Sequence, residues 1–277
     1  MSEGHTTPVR PPLNPPAKAT LPPPDVRDFR ARLDHFFQVE DEKGRPWAAS
    51  QWGVYAFYDF DGEPIYVGQT NEKLRVRIRR HLTNQRTDAV AMRVLDVMEV
   101  AEVEIWPVWD LAGRSKKDRD ACNHLNALEY SAYLKSIRES RFKAILNEKI
   151  PPVSKPIDLP KSFRFSLVDR DSRPDLVHPD VRIARRAETI SRLSDVVRER
   201  GLVSDGLRRV LLIQAIRLTY LTAERLAYVE GRQPPPATSI DSLALIGSVL
   251  QETGPSEEDI EVSDVELAVM STLSRDS

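Results

Sequence analysis

The sequence predicts an α+β fold, a small three-stranded sheet flanked by helices and followed by a mostly α-helical C-terminal region. Two runs rich in Tyr, Phe, Val and Ile, at 53–60 and 64–68, are joined by Asp61-Gly62, a dipeptide that favours a tight hairpin turn. A third extended run, VEIWPVWD, follows at 103–110. Around and beyond these runs, apolar residues recur at helical spacing.

Taken in order, residues 1–25 hold eight prolines and few large apolar side chains, so they read as a disordered or polyproline-like arm. DVRDFRARLDHFF, 25–37, suits a short amphipathic helix packed beside the sheet. From about Glu72 to Leu82, Leu74, Ile78 and Leu82 mark the buried face of a second helix, with arginines outward. Pro107 lacks a ladder donor and assigns the third strand to an edge or a bulge. A helix from about Lys117 to Glu139 offers Leu125, Leu128, Ala132 and Ile137 to the core, and the unit 26–150 closes near Lys149. IPPVSKPIDLP starts a linker, 151–163. The helical region 164–254 then contains two long helices, 180–200 and 205–230, with Gly201 as C-cap and Ser204 as N-cap of an antiparallel hairpin. Residues 255–277, with seven acids and one arginine, form an acidic tail.

Forty basic against 42 acidic residues exclude a polycation that coats nucleic acid over its whole surface, so any such contact must come from local patches. The single Cys122 excludes an internal disulfide and a paired-cysteine zinc site. No apolar run reaches the roughly 20 residues of a membrane span. A cytoplasmic protein without membrane contact is the expectation.

The hairpin GVYAFYDFDGEPIYVGQT, 53–70, is followed at once by KLRVRIRRH. The order Gly53-Val54-Tyr55, then Tyr66-Val67-Gly68, then Arg77 on the next helix and Glu129 on a later one resembles the GIY-YIG nuclease family over roughly residues 50–150. Valine replaces isoleucine in both tripeptides, a β-branched apolar exchange. The resemblance implies a three-stranded antiparallel sheet flanked by helices and cleavage of phosphodiester bonds with one divalent metal, Mg²⁺ or Mn²⁺, per active site. It implies catalytic roles for Tyr55, Tyr66, Arg77, His81 and Glu129, with Glu129 as metal ligand. Gly53, Gly68 and Asn147 match supporting positions.

The residue types agree with that chemistry. Arg77 and His81 stand one helical turn apart, where a guanidinium fork suits a phosphate and an imidazole suits a proton. A solvated helix face is the alternative for Arg77. Glu129 lies among apolar neighbours in NALEYSAYL and needs a cation; its alternative is a surface pair with Lys135 or Arg138. A magnesium ion held by one carboxylate and waters would supply that partner. Tyr55 is assigned to take the proton of the attacking water, Tyr66 to orient water or phosphate, Arg77 to stabilise the transition state and His81 to assist proton transfer. Asn147 is a structural support, with a cap or turn role equally open.

Lys73, Arg75, Arg79, Arg80 and Arg86 are candidate nucleic-acid contacts. On the first long C-terminal helix, Arg182, Arg185, Arg186 and Arg192 either reach phosphates or form a solvated face, with Ile183, Ala187, Ile190 and Val197 as the packing face. The expected function is a metal-dependent endonuclease of restriction, defence or repair type acting on DNA, with RNA left open. Its helical region would select substrate or form a homodimer. The alternatives are a catalytically silent nucleic-acid-binding module and a helical assembly protein.

Overall fold

The computed structural model describes residues 22–83, 94–169, 174–247 and 249–250. Most of the proline-rich arm, Arg86 and the acidic tail lie outside the described residues. Among the described residues four strands, rather than three, form one antiparallel sheet in the order β2-β1-β3-β4: β1 Gly53–Tyr58, β2 Pro64–Thr70, β3 Glu102–Pro107 and β4 Phe163–Ser166. The fourth strand falls at the end of the expected linker and the start of the expected helical region. Its sequence alternates: Phe163, Phe165 and Leu167 turn inward while Arg164 and Ser166 stay exposed. Phe163 stacks on Phe36 and Trp47 at centroid distances of 6.0 and 5.4 Å. β3 is therefore internal and its register is unbroken on both sides, rather than the edge or bulge expected from Pro107. The proline is tolerated because it ends the strand two residues beyond the last β4 pair, Ile105–Phe163.

Three helices flank this sheet: α1 Pro24–Phe36, α2 Leu74–Thr83 and α3 Arg119–Glu139. Each buries the predicted stripe or one close to it. Phe29, Leu33 and Phe36 are covered on α1, Leu74, Ile78 and Leu82 on α2, and Leu125, Leu128, Ala132 and Ile137 on α3. The Asp118 side chain accepts the Asp120 and Ala121 amides and so starts α3. Between α3 and β4 the chain has no regular structure, yet the Ile157 amide is held by the Ser131 hydroxyl at 2.8 Å.

The C-terminal part is a helical hairpin, α4 Pro179–Arg200 and α5 Asp205–Val229, followed by the short α6 Ser242–Ile246. Gly201, at φ +68°, ends α4, and the Ser204 hydroxyl accepts the Leu207 amide to start α5. The two helices run antiparallel, with Arg225 near the end of α5 paired to Asp180 at the start of α4. Their apolar residues Leu193, Val196, Leu207, Val210 and Ile213 join the same buried cluster as the sheet.

The packing face of α4 differs from the expected one. Its buried stripe is Arg182, Arg186, Thr189, Leu193 and Val196, whereas Ala187 is exposed. The inward arginines meet carboxylates at the turn end of the β1–β2 hairpin. Asp59 Oδ1 accepts the amides of Asp61 and Glu63 and shapes the turn, while Oδ2 receives Arg186 at 2.9 Å and Arg217 at 2.6 Å. Arg182 forks onto Asp61 at 2.9 and 2.7 Å, and Glu99 takes Arg185 at 2.6 Å. Within this cluster three buried carboxylates, Asp59, Glu63 and Glu99, are met by three buried guanidinium groups, Arg182, Arg186 and Arg217. That pairing is why a charged helix face can pack inward at all.

At the other end of the hairpin, α5 abuts the segment after α3. A Cβ added to Gly206 would stand 2.0 Å from the Glu148 carbonyl oxygen, so only glycine permits this approach. Ser204 donates to the Glu148 carboxylate at 2.8 Å and Arg209 to its carbonyl at 2.9 Å.

Replacing Asp59 with alanine should cost about 3–5 kcal/mol, because it strands buried guanidinium groups and undoes the turn. Urea denaturation measures this, and a loss under about 1 kcal/mol would mean that the ion cluster does not fasten the helices.

Candidate active site

The hairpin register decides which side chains meet. Tyr55 lies opposite Gly68 and Phe57 opposite Tyr66, so both tyrosines project from one face of the sheet. Gly68 gives Tyr55 its space: a Cβ there would stand 2.6 Å from the phenolic oxygen and 2.7 Å from Cζ. Gly53 does the same for α2, since a Cβ would meet Leu74 Cδ1 at 2.8 Å. Both glycines thus serve close packing.

α2 lies against the tyrosine face. Arg77 Nε donates to the Tyr55 hydroxyl at 3.4 Å. One turn later the His81 ring sits 5.8 Å from Tyr55 and 5.7 Å from Tyr66, with the tyrosine centroids 6.3 Å apart. Tyr55 is fully buried, while Tyr66, Arg77 and His81 are half-buried. Burial pushes the Tyr55 phenol well above its ordinary range, and the Arg77 guanidinium only partly opposes this. Tyr66 is shifted upward by the same burial, again opposed by Arg77. Both side chains are therefore neutral phenols near neutral pH.

Glu129 approaches from α3. It is half-buried, and desolvation raises its carboxyl to about 7 against the lowering influences of Arg77 and the Gln69 backbone amide. The expected alternative of a pair with Lys135 or Arg138 is not formed among the described residues; Lys135 instead pairs with Glu104 and Glu139. A divalent cation fits this carboxylate, because burial makes its charged form costly without a further positive partner. Among the described residues no group of three or more His, Cys, Asp or Glu forms a cage, so an ion here would rest on one carboxylate, waters and substrate oxygens.

The outer edge of β2 organises the rest. Asn147 accepts the Val67 amide at 3.0 Å and donates to the Val67 carbonyl at 2.8 Å, a side chain standing in for a neighbouring strand. Leu146 adds a bond from its amide to the Ile65 carbonyl. Further along, Gln69 Nε2 donates to Asn126 Oδ1 at 2.7 Å, and Asn71 reaches the Lys116 carbonyl at 3.5 Å.

Of the candidate phosphate contacts, Lys73 and Arg75 are exposed and form no ion pair among the described residues. Arg79 pairs with Asp34 and Arg80 with Glu72. Gln69 and Asn126 were missed by the sequence reading. A polar residue directly after the second tripeptide was the available signal for Gln69, and Asn126 lies one helical turn before Glu129.

Among curated proteins and among solved structures, none matches this chain. A family model does: that of the GIY-YIG catalytic domain, over residues 51–131, the span from the start of β1 through Glu129. The match lies in the N-terminal part of the chain, and the family of that domain is in general one of nucleases.

Proposed function

We propose that the protein is a metal-dependent endonuclease that hydrolyses DNA phosphodiester bonds in restriction, defence or repair. The observation that carries this reading is the Arg77–Tyr55 contact at 3.4 Å, in reach of the field of a Glu129 carboxyl raised to about 7. Hydrolysis adds water to phosphorus while the 3′-oxygen departs, and it needs cations around the phosphoryl oxygens and a route for the water's proton.

Tyr55 engages Nε of Arg77 and leaves the terminal nitrogens of the fork for two non-bridging phosphoryl oxygens. Because Tyr55 is fully buried and neutral, its part is to hold Arg77, a different division of labour from the one expected from sequence. Tyr66 is half-buried and in ring contact with His81, so it orients the attacking water, and His81 takes the proton as the new O–P bond forms. Glu129 would hold Mg²⁺ or Mn²⁺, which when bound supplies positive charge for the departing 3′-oxygen. The Gln69 amide fixes the Glu129 carboxylate against the strand.

In a supercoiled-plasmid nicking assay with Mg²⁺, Glu129→Ala should abolish cutting while duplex binding persists, and Arg77→Lys should lower kcat by about 10²–10³-fold. Unimpaired cutting by Glu129→Ala would end this assignment.

Glu129 also makes a metal-dependent stability prediction. Its folded pKa, about 7, exceeds its ordinary 4.5, so its favourable contribution is full below pH 4.5 and is lost as pH rises through 7. Without metal, Glu129→Gln should therefore match the wild type at pH 4 and exceed it at pH 8. Allowing for solvent screening at a half-buried group, the gain is about 1–2 kcal/mol. Urea denaturation in EDTA reads the difference. Mg²⁺ should stabilise the wild type alone, and equal stabilisation of Glu129→Gln would remove Glu129 as the ligand.

A further inference from the structure

The arginines that the sequence offered for DNA on α4 are engaged elsewhere, since Arg182, Arg185 and Arg186 are drawn toward carboxylates at and beside the hairpin turn and the exposed Arg192 pairs with Glu188. Two other groups of exposed cations have no carboxylate partner among the described residues. One comprises Lys73 at the start of α2 and Lys116, Lys117 and Arg119 at the start of α3, joined through the Asn71 contact to the Lys116 carbonyl. The other comprises Lys149 and, at the α4–α5 corner, Arg200 and Arg208. Of the acids nearby, Asp118 pairs with Arg114, Glu72 with Arg80 and Glu199 with Arg198, while Glu148, hydrogen-bonded by the neutral Ser204, and Asp120 and Asp205 keep their charge.

The outer edge of β2 sets where these groups stand. The Asn147 latch meets it at Val67, Glu129 at the Gln69 amide, and the first cationic group at Asn71. Glu148 and Lys149 follow the latch directly, and Glu148 is close enough to Tyr66 to raise its phenol. The backbone contact at Gly206 presses the corner onto that same Glu148. Val67 and Asn71 are about 13 Å apart at the rise of a strand. That length of duplex carries about eight phosphate charges.

We propose that the Lys116–Arg119 loop and the α4–α5 corner are two arms that grip the phosphates of double-stranded DNA on either side of Glu129. The C-terminal hairpin is then part of the substrate site, and Gly206 is the contact that brings it there. The choice of DNA as the polyanion rests on the nuclease reading above. The siting of the arms rests on charge and on the β2 edge alone.

The test is binding of a fluorescent 20-base-pair duplex by the full chain in EDTA, across a salt series. Lys116→Glu with Lys117→Glu, and separately Arg200→Glu with Arg208→Glu, should each weaken binding about tenfold or more. Each pair should also make the log K against log salt slope shallower by about 2. Arg200→Lys with Arg208→Lys should retain the wild-type slope. Arg232→Glu, beyond the other end of the 25-residue α5 and about 36 Å away along the helix, should bind within twofold of wild type. An unchanged slope for the corner variant, or an equal loss from Arg232→Glu, overturns the proposal. A wild type that grips duplex through both arms and never cuts removes the hydrolase reading alone. One that cuts while the corner variant binds normally removes the arms alone.

Discussion

One oxygen of the Asp59 carboxylate accepts two backbone amides of the hairpin turn, and the other receives guanidinium groups from α4 and α5. The β1–β2 hairpin and the C-terminal helices therefore share a fixed point. Buried ion pairs of this kind contribute little net stability compared with apolar packing, because desolvation offsets most of the attraction. What they do supply is registry. Arg182, Arg186 and Arg217 meet Asp59, Asp61 and Glu99 together, which ties the seating of the helical hairpin to the turn.

The same constraint explains what could be read from sequence. On α1, α2 and α3 the buried face is apolar, so spacing identified Leu74, Ile78, Leu82, Leu125 and Leu128. On α4 the buried face begins with two arginines. A rule that places charge outside rotates the helix and selects Ala187, which is exposed. Nothing local distinguishes Arg186 from a solvated arginine; the information lies in Asp59, 127 residues away along the chain. β4 was legible in principle, since Phe163, Arg164, Phe165, Ser166 and Leu167 alternate, but its neighbouring prolines suggested a linker.

The candidate site shows the same division. Tyr55, Tyr66, Arg77 and His81 meet, as the family resemblance implies. Exposure was not legible, because it depends on Gly68 letting the phenolic end of one ring approach the backbone while the other remains half-open. That difference separates a phenol that holds an arginine from a phenol that meets solvent. Gln69 and Asn126 escaped notice because amides carry no charge pattern and gain meaning only when a strand edge brings them together.

The Asn147 latch has a consequence for how the chain can be divided. The family match ends at residue 131, yet the outer edge of β2 is covered by residues 146 and 147. A fragment trimmed to the matched span would leave Ile65 and Val67 with bare amide and carbonyl groups along an open strand, a template for pairing with a second molecule. The same cut would remove β4 and expose the far side of β3. Both margins of a two-sided sheet would then be open, and such a fragment should associate edge to edge into insoluble assemblies. By covering that edge, the latch also guards against such association.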